Sequence, residues 1–126
     1  MKVYVVEDSA AICQRIVQMV EEIQGMDVVG TADDVLGAIQ GIEANMPDVV
    51  ILDIRLVSGN GLNVLQHVKK TMPTLKVIVL TNFNSDQYRK LAHRYGADAF
   101  LDKSNDFGQI PNLLRTWQPN PGHAVT

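Results

Sequence analysis

The chain has 126 residues, 46% of them hydrophobic and 20% charged, with a formal net charge of -3. That length fits one domain with a full core and excludes two ordinary ones, and the negative balance excludes a general attraction to nucleic acid or anionic membranes. No run approaches the roughly 20 apolar residues of a membrane span, and a lone cysteine, Cys13, excludes an internal disulfide and a cysteine-built metal site. Cys13 reads as a buried thiol on a helix. The chain enters a strand at once, so no secretory signal is expected, and a cytoplasmic protein is the reading.

Lys2–Val6 is short, β-branched and followed by turn chemistry, as a buried parallel strand should be. Asp8 or Ser9 can cap the next helix. Its residues Ile12, Ile16, Met19, Val20 and Ile23 make a core-facing stripe that Gly25 ends. Asp27–Ala32 is a more mixed strand and reads as a sheet edge. Asp34 caps a helix with Val35, Ile39, Ile42 and Met46 on one face, closed by Pro47. The strand Val49–Leu52 ends at Asp53, and a glycine-bearing loop runs from Arg55 to Gly61. Leu62, Leu65, Val68 and Met72 stripe the third helix, which Pro73 ends.

The strand Val77–Leu80 ends at Thr81. Ser85 can cap a helix carrying Tyr88, Leu91, Ala92 and Tyr95, with Gly96 where a left-handed residue is wanted. Ala99–Leu101 leads to Lys103, and Ile110, Leu113, Leu114 and Trp117 stripe the last helix. Asp106 with Gln109 resembles a capping box, yet Pro111 would then lose an intrahelical bond. A start near Gln109 or Ile110, after a turn, removes the conflict. The domain is placed at 1–117, and a disordered tail is expected over 118–126. Five βα units predict a doubly wound parallel sheet of order 2-1-3-4-5, with helices on both faces and the first and third strands side by side at the switch point.

Ligands in such a sheet bind beyond the carboxyl ends of the strands. Glu7, Asp8, Asp53, Thr81 and Lys103 would share that rim. Clustered carboxylates repel one another unless a cation intervenes, and Mg²⁺ takes one or two carboxylates with waters and phosphate oxygens. Asp8 and Asp53 are the natural direct ligands, with Glu7 acting through water. The plainer alternative is that Glu7 and Asp8 serve only the helix that follows. Asp53 can also be a nucleophile that accepts a phosphoryl group as an acyl phosphate. Lys103 would then face the phosphoryl charge, and Thr81 and the Asn82 backbone N–H would donate to phosphoryl oxygens. A solvated lysine and a hydroxyl bonded to local backbone are the competing readings.

The ordered set Glu7-Asp8, Asp53, Gly61, Thr81 and Phe100-Leu101-Asp102-Lys103 resembles the receiver domain of two-component response regulators over approximately residues 2 to 117. The resemblance implies a (βα)5 flavodoxin-like fold. It implies that Asp53 takes a phosphoryl group from the phosphohistidine of a sensor histidine kinase or phosphotransfer protein, with Mg²⁺. It also implies that Thr81 and Phe100 rearrange to signal that state to a downstream protein. Four positions depart from the family's habits: Val57 stands where proline is frequent, Asn60 for aspartate, Phe100 for tyrosine, and Ser104 for a proline whose bond is cis. The isomer of the Lys103–Ser104 bond is left open.

Further expectations follow from position. The Arg55 carbonyl joins the Mg²⁺ ligands. The side chains of Arg55 and Phe83, each two residues beyond a site residue, flank the phosphoryl group and slow its hydrolysis. A whole single-domain regulator is expected rather than a fragment, with no direct nucleic-acid contact, no membrane contact and no turnover beyond its own phosphoryl chemistry. The alternative is a receiver-like interaction module that takes no phosphate. A phosphohydrolase is disfavoured because Arg55 stands where a second acid is wanted. Dinucleotide binding fails because Glu7-Asp8-Ser9-Ala10-Ala11 replaces the glycine-rich turn. His67, His93 and His123 show no metal spacing.

Overall fold

A computed structural model describes residues 1–119. The strands β1 (Lys2–Val6), β2 (Asp27–Ala32), β3 (Val49–Leu52), β4 (Lys76–Thr81) and β5 (Ala99–Asp102) form one parallel sheet of order β2-β1-β3-β4-β5. This is the doubly wound, flavodoxin-like order expected. The helices are α1 (Ala10–Glu21), α2 (Val35–Asn45), α3 (Gly61–Thr71), α4 (Asp86–Arg94) and α5 (Ile110–Trp117). None of the described helices is long and apolar enough to cross a membrane. Of the tail expected over 118–126, residues 120–126 lie outside the described residues.

Alternation along the strands divides the core in two. Val3, Val5, Val49 and Ile51 face Ile16 and Val20 of α1 and Ile110 and Leu114 of α5. Tyr4, Val6, Val50 and Leu52 face Ala38 and Ile42 of α2, Leu65 and Val68 of α3, and Ala92 of α4. Burial on both sides explains why β1 and β3 read as unbroken apolar runs. It also fixes register, because a one-residue slip would exchange the two cores. Val6 therefore pairs with Leu52, and Leu52 with Val79, which brings the residues after them to one rim.

Ser9 caps α1, its Oγ accepting the Ile12 N–H at 3.3 Å. That leaves the exposed Asp8 carboxylate out of the helix. Asp34 and Ser85 cap α2 and α4 as expected. The helix α5 starts at Ile110 after a short 3₁₀ turn over Phe107–Gln109, with Pro111 in its first turn. Gly96 has φ 96°, the left-handed geometry predicted for it.

Two local features differ from the sequence reading. Met46 does not extend the buried stripe of α2. It is the C-cap in left-handed conformation, φ 48°, and 60% exposed, because the chain must turn there to reach Pro47. The loop from Arg55 to Gly61 is a short antiparallel ribbon pairing Arg55 with Asn60 and Leu56 with Gly59. Asn60 then caps α3 by accepting the Leu62 N–H at 2.8 Å. At Gly61 a Cβ would stand 1.9 Å from the Asp53 carbonyl oxygen. Only glycine lets α3 begin this close to the strand end that carries Asp53.

Candidate functional site

Backbone bonds carry the parallel ladder past the strand ends: Glu7 N–H donates to Ala32 O at 2.9 Å, Asp53 N–H to Val6 O at 3.0 Å, and Lys103 N–H to Thr81 O at 3.0 Å. The rim residues are thus held by the sheet itself. Glu7 and Asp53 are 3% and 5% exposed and Thr81 is fully buried, whereas Asp8 faces solvent. One oxygen from each of Glu7, Asp8 and Asp53 can be chosen so that all lie within 4.8 Å of one another. Two buried and one open carboxylate, all hard oxygen donors, fit a small divalent cation that keeps part of its water shell.

Lys103 crosses this cluster. Its Nζ lies 2.7 Å from Asp53 Oδ2 and 2.7 Å from Glu7 Oε1. The other oxygens of the same groups are also held, Asp53 Oδ1 by the Ile54 N–H at 2.7 Å and Glu7 Oε2 by the Ser9 N–H at 3.0 Å. Burial pushes the Glu7 carboxyl upward, and the Lys103 and Ser9 donors only partly offset it. For Lys103, burial works against the ammonium, yet its bonds to Asp53 and Glu7 prevail and hold its pKa above the ordinary lysine value. The reading of Lys103 as a solvated loop lysine is therefore overturned by geometry.

The Thr81 Oγ1 accepts the Phe83 N–H at 3.1 Å. That is the local backbone bond weighed against a functional role, and it leaves the hydroxyl proton free to donate. Phe83 lies under the Arg55 guanidinium, 4.7 Å from ring centroid to Cζ. Both line the cleft over Asp53 with Asp8, Ser9, Ile12, Asn82, Lys103 and Ser104. A larger hollow, lined by Met46, Met72 and Trp117, lies at the amino ends of the strands and holds none of the rim residues.

Phe100 is half-buried on β5. Arg89 of α4 covers its ring, with Cζ 4.6 Å from the centroid, and Arg89 Nη1 donates to the Phe100 carbonyl at 3.4 Å. The residues that sequence reasoning missed centre on Asp102. Its carboxylate accepts from Asn84 Nδ2 at 2.6 Å, Asn105 Nδ2 at 3.2 Å and the Ser104 N–H at 2.8 Å. This clasp joins the loops after β4 and β5 and steadies the chain on either side of Lys103. No peptide bond among the described residues is cis, so Lys103–Ser104 is trans. An aspartate just before the rim lysine was the only signal in the sequence, and it named no partner.

Residues 3–115 match the family described as response regulator receiver domain. The chain is 33% identical over 102 residues to the DNA-binding transcriptional activator DevR/DosR of Mycobacterium tuberculosis, covering 81% of this chain and 47% of that protein. It is 28% identical to the oxygen regulatory protein NreC of Staphylococcus epidermidis over 92% of this chain and 54% of that one. The chain therefore spans about half the length of the curated relatives it matches. Among solved structures it is similar to a LuxR-family DNA-binding response regulator from Staphylococcus aureus. The TM-score there is 0.84 at 28% identity, over 91% of this chain and 96% of the other. The receiver domain of the response regulator NarL from Mycobacterium tuberculosis gives 0.83 at 26% identity, over 91% and 93%.

Proposed function

The chain belongs to the response regulator receiver domain family, and from that premise we propose that it is a phosphoacceptor switch with Asp53 as the acceptor. The donor is the phosphohistidine of a sensor histidine kinase or of a phosphotransfer protein, in the cytoplasm. An Asp53 carboxylate oxygen forms the new bond to phosphorus as the phosphorus–nitrogen bond breaks. The imidazole leaves with that bond's electrons. The observation that carries this reading is the Lys103 ammonium set 2.7 Å from the Asp53 carboxylate at a rim that also holds the free proton of Thr81.

Glu7, Asp8 and Asp53, with the Arg55 carbonyl, would hold Mg²⁺, which when bound supplies charge neutralisation for the phosphoryl oxygens. The chain's own part is positional. Ile54 N–H fixes the Asp53 carboxylate plane, Lys103 meets the phosphoryl charge, and Thr81 with the Asn82 N–H donates to its oxygens. A dianionic group at Asp53 draws the Thr81 hydroxyl inward, and the Phe100 ring fills the space vacated. The surface of α4, β5 and α5 changes shape, biasing a two-state equilibrium that a protein partner reads. The protein acts on no external substrate. A module that takes no phosphate has no need of a buried acceptor, lysine and hydroxyl held together.

Intact mass after treatment with acetyl phosphate and Mg²⁺ tests this. Wild type should gain one phosphoryl group and Asp53→Ala none. A phosphoryl group on Asp53→Ala, or none on wild type, overturns the assignment.

A further inference from the structure

The guanidinium of Arg55 has no ion-pair partner among the described residues. What orders it is the face of Phe83. A cation over a ring at an exposed site is held weakly, so the guanidinium stays over the cleft only while that ring keeps its orientation. The Phe83 backbone is fixed by the Thr81 hydroxyl, but that bond does not fix the ring about its own side-chain torsions. Tyr88 meets the ring edge-on, with centroids 6.2 Å apart and planes at 72°. Tyr88 sits in the first turn of α4, half-buried against the core. Arg55, Phe83 and Tyr88 line one small hollow with Ile54, Gly59 and Asn60. A three-member stack thus runs from α4, through the loop after β4, to a residue that lines the cleft over Asp53.

We propose that Tyr88 is a positioning residue for the acyl phosphate: acting through Phe83, it holds the Arg55 guanidinium over the Asp53 cleft and so lengthens the life of the phosphorylated state. The inference rests on Asp53 being the phosphoacceptor. Hydrolysis places a water oxygen on phosphorus in line with the bond to Asp53. That bond breaks, Asp53 leaves as a carboxylate, and both protons of the water pass to orthophosphate. The guanidinium and the ring obstruct that line of approach. Removing the edge contact from Tyr88 frees the Phe83 ring to rotate, and the obstruction opens. Because Tyr88 belongs to α4, whatever repositions α4 also resets the lifetime.

The test loads the protein with acetyl phosphate and Mg²⁺, removes the donor by desalting, and follows loss of the phosphoryl group by intact mass. Tyr88→Leu, which refills the core but lacks a ring edge, should lose it about two- to ten-fold faster than wild type, the factor equivalent to one edge-on aromatic contact. Tyr88→Phe should match wild type, since the contact needs no hydroxyl. The double variant Tyr88→Leu/Phe83→Ala should decay no faster than Phe83→Ala alone. A wild-type lifetime in Tyr88→Leu, or effects of the two substitutions that multiply, overturns the role of Tyr88 and leaves the phosphoacceptor assignment standing. Failure of wild type to take any phosphoryl group overturns both.

Discussion

The Nζ of Lys103 stands 2.7 Å from Oδ2 of Asp53 across fifty residues of sequence. With Glu7 also 2.7 Å from that ammonium, two buried carboxylates depend on one cation. Removing it leaves them uncompensated, a loss on the order of 3 kcal/mol for buried pairs. Lys103→Met should therefore be destabilised in urea unfolding with EDTA present, and Mg²⁺ should restore more stability to it than to wild type. The pH dependence has a definite sign. Glu7 has a raised pKa, so its contribution to stability is fully present below 4.5 and is lost as pH rises through the folded value. The deficit of Lys103→Met should thus be smaller at pH 5 than at pH 7.5. Equal stability of the two proteins in EDTA at pH 7.5 would refute the dependence.

Asp8 offers a separable test of the metal. Ser9 caps α1, so the exposed Asp8 carboxylate carries no helix bond. Asp8→Ala should keep its metal-free stability within about 0.5 kcal/mol, as surface substitutions do, while losing most of its Mg²⁺ affinity. Titration giving the wild-type affinity would sink the ligand assignment.

Sheet order and rim were legible because both follow from strand period and topology. Once Val6 and Leu52 are adjacent, Glu7 and Asp53 must be neighbours. The choice of Ser9 over Asp8 as cap was not legible, since either side chain can accept the same N–H. Nor was the exposure of Met46, where a helical stripe continues by one residue past the end of the helix. The Asp102 clasp and the Phe83–Tyr88 contact join side chains from different loops and helices. Periodicity gives no account of such pairs, because they depend on how loops fold back over the rim.

Cys13 should be a slow thiol. Burial raises its pKa and the Glu7 charge adds to that, with the Thr31 hydroxyl opposing. Less thiolate at neutral pH means slower alkylation. Iodoacetamide at pH 7.5 should modify Cys13 more slowly than an unstructured cysteine peptide, and Glu7→Gln should speed it. Cys13 is half-buried rather than fully buried, and reaction at the peptide rate would contradict even that partial shielding.

Thr81→Ala separates loading from signalling. The variant keeps Asp53 and Lys103, so it should still take a phosphoryl group, at a stability loss of about 1 kcal/mol for the bond lost to the Phe83 N–H. What should fail is the response across α4, β5 and α5, where Arg89 covers Phe100. Amide spectra of wild type and variant, each with and without acetyl phosphate, would show it. A variant whose phosphorylated spectrum shifts as wild type does would exclude Thr81 as the link.

The lifetime of the phosphorylated state is expected to turn on Arg55 and Phe83. Both line the cleft over Asp53, and with the two stacked at 4.7 Å a phosphoryl group on Asp53 would have a cation beside its oxygens and an apolar wall beside the water path. Neither group is a base that activates water at neutral pH, so the pair obstructs without assisting. Slow self-dephosphorylation is the expected outcome in wild type. Arg55→Ala removes the guanidinium that would bond phosphoryl oxygens, and Phe83→Ala removes both the wall and the surface on which that guanidinium rests. Each should release phosphate faster than wild type, by roughly the two- to ten-fold that one contact of this kind controls. Arg55→Lys should recover little, because an ammonium lacks the planar fork that covers two oxygens at once. Phosphate-release time courses in Mg²⁺ decide the matter: unchanged or slower release in both alanine variants would mean that the cleft is open to water whatever stands at its edge.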